Sequence, residues 1–199
     1  MHFLSKALLL LVVLSSTTAS LTPEECLELE KTLSAEELHT ISGKWTLILA
    51  YGNTDKSRAL LKTANSSQTE FSFSNNNQTL TLKQANMGNE TCIRYSMNFT
   101  VSGDEIQLSR GNTSDTVYFL QTCTDCLVML HSLESPSVKK AAFLLIYGKT
   151  GTLPESELER AGKQALCLDF DHPPHMFYNE GAEFCPEKTE ASEVKEPEQ

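Results

Sequence analysis

The sequence predicts a mainly β protein: one domain of about eight short antiparallel strands, closed as a barrel or folded as a sandwich, with a helical segment at each end. Two observations carry this. Between Gly43 and about Tyr147, short β-type runs alternate with turn-rich breaks at a spacing suited to an antiparallel meander. A length of 199 residues also allows one domain with a sizeable core, and hardly two.

Residues 1–20, MHFLSKALLLLVVLSSTTAS, read as a secretory leader. Lys6 supplies the positive start, Ala7 to Leu14 the apolar run, and Thr18-Ala19-Ser20 the small-residue exit, with cleavage expected near Ser20. The apolar run is far short of the roughly 20 residues a membrane span needs. From Leu21 to Thr40 the chain is acidic and helix-friendly, with Pro23 and Glu24 suited to a first turn. The expected strands are Lys44–Tyr51, Glu70–Ser74, Thr79–Lys83, Cys92–Val101, Glu105–Ser109, Thr116–Thr122, Leu127–Leu133 and Ala141–Tyr147. After Tyr147 the pattern becomes helical. Thr152 is placed to cap, Pro154 sits near the first helical position, and Leu158, Ala161, Ala165 and Leu168 form an apolar stripe for the outside of the sheet. The expected domain is therefore 21–185. Residues 186–199, PEKTEASEVKEPEQ, read as an acidic disordered tail.

The formal net charge is −10, and the leader contributes a Lys but no acid. A chain this acidic, with no basic patch, is a poor partner for nucleic acid or an anionic membrane surface. Five N-x-[ST] sequons, at Asn65, Asn77, Asn89, Asn98 and Asn112, fit a secreted glycoprotein and require each Asn to face solvent. If Asn98 faces out, alternation turns Ile93, Tyr95, Met97, Phe99 and Val101 to the opposite face, which is then wholly apolar or aromatic.

Gly43-Lys44-Trp45, opening the first strand after a helical segment, resembles the G-x-W motif of the lipocalins. The second lipocalin motif is only partly present, as Thr124-Asp125 before Cys126. Ile41–Trp45, Cys92–Tyr95, Leu108–Arg110, Ala165–Leu168 and Cys185–Lys188 are similar to one group of that family. The group holds alpha-1-acid glycoprotein (orosomucoid), the fish saxitoxin- and tetrodotoxin-binding proteins and, more loosely, apolipoprotein M. The resemblance implies an eight-stranded up-and-down barrel with a short N-terminal helix and one C-terminal helix packed outside. It also implies an extracellular carrier in plasma, an acute-phase or immune-modulating setting, and a monomer. The alternatives are an apolipoprotein M-like lipid carrier on lipoprotein and a glycoprotein interaction module with a filled barrel, with lipoprotein or a cell-surface receptor as partner.

Six Cys allow fifteen pairings. The resemblance implies Cys26–Cys167 and Cys92–Cys185, leaving Cys123 and Cys126. That C-x-x-C lacks the βαβ context of a redox pair and the second Cys/His pair of a zinc site; a staple at a hairpin end needs only opposed Cβ atoms. No nucleophile–base arrangement or phosphate loop points to an enzyme, and no cofactor or metal is expected. His172-Pro173-Pro174-His175 reads as a solvated connector rather than a metal motif.

An eight-stranded barrel has room for one small ligand, here a hydrophobic or amphipathic molecule such as a lipophilic cation or a lipid. Alternation from Trp45 turns Leu47, Leu49 and Tyr51 inward, beside Tyr95, Met97 and Phe99. Phe71, Phe73, Leu108, Met129 and Tyr147 match or neighbour lining positions of the family, and Arg110 matches a basic residue that faces the pocket in alpha-1-acid glycoprotein. Trp45 is expected to plug the closed end, with Lys149 where the family usually places an Arg.

Overall fold

The computed structural model describes residues 21–187 except 104, 111, 136 and 137, and only the backbone of 109, 110, 135 and 138–140. The expected leader and the tail beyond 187 lie outside the described residues. Eight strands follow one another: β1 (Gly43–Gly52), β2 (Ser66–Phe73), β3 (Thr79–Gly88), β4 (Thr91–Ser102), β5 (Glu105–Arg110), β6 (Thr113–Leu120), β7 (Cys126–Ser135) and β8 (Val138–Gly148). Each pairs antiparallel with the next, and β1 pairs with both β8 and β2, so the sheet closes into a barrel and the sandwich is excluded. A ninth strand, β9 (Met176–Phe177), adds to β1. The helices are α1 (Pro23–Leu29), α2 (Asp55–Leu61) and α3 (Glu155–Cys167).

The chain's direction separates the two ends of the barrel. β1 starts at the base, where the single-turn helix Leu38–Ile41 lies, and the hairpins β2–β3, β4–β5 and β6–β7 share that end. The rim carries the hairpins β3–β4, β5–β6 and β7–β8, together with the β1–β2 connection that contains α2. Two seams of the wall are short: only Gly43–Thr46 of β1 pair with β2 and only Thr100–Ser102 of β4 pair with β5, whereas β3 and β4 pair along all of Thr79–Gly88.

Two apolar cores flank the wall. The inner one holds Trp45, Leu47, Phe71, Leu82, Phe99, Phe119 and Tyr147. The outer one lies between the barrel and α3, with Leu144, Ile146, Ala161, Ala165 and Phe170. Ala161 and Ala165 are small and buried, which lets α3 approach the sheet closely, as the stripe predicted. Pro154, not Thr152, is the residue that precedes α3, and no side chain caps it.

The phase of β1 departs from simple alternation. A bulge between Leu47 and Leu49 inserts one residue, so Leu47 still pairs with Tyr147 inside while Leu49 and Tyr51 pair with Ile146 and Leu144. Leu49 and Tyr51 therefore face the outer core under α3, and the expectation that they line the barrel is corrected.

The helix α2 was not foreseen. Thr54 caps it, accepting from Ser57 N while Ser57 Oγ accepts from Thr54 N. The connection containing it sits down on two glycines, Gly52 of β1 and Gly88 of β3. A Cβ on Gly88 would lie 2.1 Å from the carbonyl oxygen of Thr63. Gly88→Ala is thus expected to destabilise the fold by about 1–3 kcal/mol through overpacking. Urea denaturation measures it, and an unchanged midpoint would contradict so close an approach.

Candidate functional site: the barrel interior and its rim

Partners in register share a face of the sheet, so the pairings assign the lining. Phe71, Leu82 and Met97 form one row across β2–β4; Phe73, Leu80 and Phe99 form the next. Phe119, Met129 and Leu145 continue a row across β6–β8, and Leu127, Tyr147 and Leu47 another. Leu108 pairs with Asp115 on the same inner face. Leu47, Phe71, Phe73, Tyr95, Met97, Phe99, Leu108, Met129 and Tyr147 all point inward. Arg110 ends β5 at the rim, and its side chain lies outside the described residues.

The lining is closed below and open above. The Phe71 ring meets Phe119 edge-on at 5.4 Å and Tyr147 at 6.4 Å, so rings from β2, β6 and β8 join across the lumen. All three are buried. By contrast Ile93 and Tyr95, on the inner face of β4 near the rim, are 59% and 40% exposed. Met97 is half-buried beneath them. The accessible part of the cup is its upper part, along β4.

Polar groups interrupt this lining in two places. On the β2–β4 side, Gln84 Nε2 donates to Ser67 Oγ (3.0 Å) and Asn86 Oδ1 (2.9 Å), and Tyr95 donates its hydroxyl to Gln84 Oε1 at 2.6 Å. Deeper in, burial pushes the Tyr147 phenol well above its ordinary value, so it stays neutral, with Thr69 beside it. On the β6–β7 side, buried Asp115 lies 3.8 Å from His131 Nε2, and the His131 ring contacts Phe99 and Phe143. Sequence reasoning missed Gln84, Asp115 and His131. A signal existed: Asp115 is in phase with Val117 and Phe119, and His131 with Met129, so a polar residue breaks an apolar face.

The base is held from below. Trp45 is buried, its Nε1 donates to the Ile41 carbonyl at 2.7 Å, and the Lys149 ammonium lies 3.7 Å from the ring centroid. Three disulfides tie the ends down: Cys26–Cys167 joins α1 to α3, Cys92–Cys185 fixes the C-terminal segment to β4, and Cys123–Cys126 closes the β6–β7 connection. Glu30 lies near the first and Glu157 near the third, but sulfurs bound in disulfides are not metal ligands.

Outside the wall, a groove of about 740 Å³ runs along the β2–β4 face, with Lys44, Glu70, Lys83 and Arg94 on its floor and Cys185–Glu187 at one side. Arg94 donates to the Pro186 carbonyl there. All five sequon asparagines are exposed.

No family model matches the sequence. Saxitoxin and tetrodotoxin-binding proteins 1 and 2 of Takifugu pardalis are each 29% identical over 201 aligned positions, covering 92% of this chain and 50% of theirs. The chain thus spans about half the length of the curated relatives it matches. Among solved structures, the siderocalin Ex-FABP is similar with a TM-score of 0.61 at 16% identity, covering 72% of this chain and 97% of that one. Lipocalin 12 from rat epididymis gives 0.57 at 13%, covering 67% and 79% respectively. Those two likenesses are of fold. With the closed barrel and its flanking helices, the chain has the lipocalin fold, and its sequence is similar to the fish saxitoxin- and tetrodotoxin-binding proteins.

Proposed function

We propose that this protein of lipocalin fold is an extracellular carrier that transports or sequesters a small hydrophobic or amphipathic molecule in the upper half of its barrel. One observation carries the reading: the inner face of β4 at the rim, Ile93, Tyr95 and Met97, is apolar yet reached by solvent above a packed base. Apolar surface left wet inside a concavity is where burial of a ligand gains free energy. The polar groups at Gln84, Tyr95 and Asp115 suit a ligand with a polar head. A net charge of −10 favours a lipophilic cation over an anionic lipid. The names of the Takifugu relatives state that they bind saxitoxin and tetrodotoxin, which supports a small-molecule cargo here. The extracellular address draws support from the leader-like residues 1–20, the three disulfides and the five exposed sequons, which we take as glycan sites.

The joined rings of Phe71, Phe119 and Tyr147, with the charged groove outside, favour a second reading: an interaction module whose barrel is filled. Energy transfer from Trp45, the single Trp, to the neutral probe N-phenylnaphthylamine separates the two. The carrier reading expects saturable uptake that Met97→Glu weakens on the order of tenfold or more, because a charge is placed against the ligand. Lys83→Glu, on the outer face, is expected to leave uptake unchanged. Loss of uptake with Lys83→Glu and not with Met97→Glu would move the ligand to the outer groove. No uptake at all would favour the filled barrel.

A further inference from the structure

The segment 170–178 returns from α3 along the outside of β1 and meets the rim at one point. There the Gly52 N–H, at the last residue of β1, donates to His175 Nδ1 at 3.2 Å, while His175 N–H donates to the Ala50 carbonyl at 2.8 Å. The solvated-connector reading of His172–His175 is therefore corrected: His175 is half-buried and holds the strand end. Gly52 is also where α2 is seated. A Cβ added to Gly52 would lie 2.6 Å from Ser57 Oγ and 3.0 Å from Arg58 N. The same segment grips α2 directly, because Arg58 Nη1 donates to Asp171 Oδ2 at 2.5 Å. From Gly52 the connection runs through α2, whose Leu61 is buried in the inner core, to the close approach at Gly88. One imidazole thus sits at the hinge of the only helix at the rim among the described residues.

We propose that His175 is an acid-sensitive latch on this rim: deprotonated, it holds the β1–α2 corner closed, and protonated, it lets α2 lift and the cup unload. Nδ1 accepts the Gly52 N–H only while it carries no proton. Protonation removes that bond and places a cation facing Arg58 and Lys62 of α2, against the single carboxylate of Asp171 from its own segment. On the β1 side the nearby titratable groups are neutral: Tyr51, whose phenol burial pushes up, lies edge-on to His172 at 5.2 Å. Burial first, and then Arg58 and Lys62, hold the His175 imidazole below its ordinary 6.5, with Asp171 opposing. The sign follows: the unfolded or opened state takes the proton more readily. The latch therefore contributes fully above the ordinary histidine value and is lost as pH falls through the lowered one.

Release of cargo rests on the carrier reading; the latch itself does not. The test uses the full chain without ligand and reads hydrogen exchange of residues 53–62 at about pH 7.5 and about pH 5, corrected for intrinsic exchange. His175→Asn keeps an acceptor, Oδ1, at the place of Nδ1 and does not titrate. The expected result is about a tenfold loss of protection at the acid pH in the native protein and none in His175→Asn. Equal pH dependence in both overturns the latch. N-phenylnaphthylamine is then expected to dissociate about tenfold faster at the acid pH from the native protein alone. If the probe binds at neither pH while exchange shows the latch, the carrier reading falls and the latch stands. If the probe binds and neither exchange nor release depends on His175, the reverse holds. Should His175→Asn fail to fold, Lys62→Gln removes a cation facing the imidazole and is expected to move the opening midpoint to higher pH. An unmoved midpoint overturns the latch.

Discussion

Phe71→Ala is expected to weaken the fold by about 3–5 kcal/mol and, in the same variant, to deepen the cup. Phe71 is 1% exposed and is the ring that meets both Phe119 and Tyr147 across the lumen. Its removal leaves a void beside Phe119, Tyr147, Leu82 and Met97, whose strands are held in a closed wall, so that the side chains relax only partly into the space. An apolar void of this kind stays dry and accepts apolar guests. Chemical denaturation gives the stability loss, and N-phenylnaphthylamine uptake in the same variant gives the depth. Reduced stability with tighter or longer-wavelength-shifted uptake is the expected pair of results. A stability loss below about 1 kcal/mol would mean that Phe71 is not the ring that closes the barrel.

The second large effect concerns the chain ends. Cys26 and Cys167 are 141 residues apart, so the bond between them restricts nearly the whole unfolded domain. The chain-entropy relation gives about 5 kcal/mol for such a loop, against about 2 kcal/mol for Cys123–Cys126, whose separation is 3. Replacing Cys26 and Cys167 together by Ser is expected to lower the melting temperature by roughly 10–20 °C, and replacing Cys123 and Cys126 by less than half of that. Calorimetry of the two double variants decides it; equal losses would show that local strain, not loop length, sets the contribution. With the hydrogen bond from the Gln164 amide to the Leu29 carbonyl then the one remaining from α3 to α1 among the described residues, the first variant is also expected to fray from its N-terminus.

Most of the wall was legible because its strands alternate. Each of the eight expected runs falls on a strand, with only Ser74, Gln121 and Thr122 past the strand ends, and the face chosen for β4 from Asn98 is the one that points out. The lipocalin resemblance supplied closure, which alternation alone could not distinguish from a sandwich. β1 was misread for a definite reason. From Trp45 to Tyr51 nearly every residue is apolar, since α3 covers the outer face of that strand, and a run apolar on both faces carries no phase. The bulge between Leu47 and Leu49 therefore left no mark, and Leu49 and Tyr51 were assigned to the wrong side. The helix α2 did leave one, the Thr54–Ser57 capping pair, short enough to pass for a loop. The role of His175 left none, because its partner Gly52 is 123 residues away and contributes only a backbone N–H.

The short seam between β4 and β5 has a consequence for what the cup can hold. A wall stitched along its full height has a fixed girth, and a guest wider than that must break hydrogen bonds to enter. Here the upper half of β4 has no ladder bonds to β5 to break, so the opening widens on that side as far as β3 and the Cys92–Cys185 bond allow. Discrimination among guests then falls to the few interior heteroatoms rather than to width, and a broad range of molecular cross-sections should be admitted.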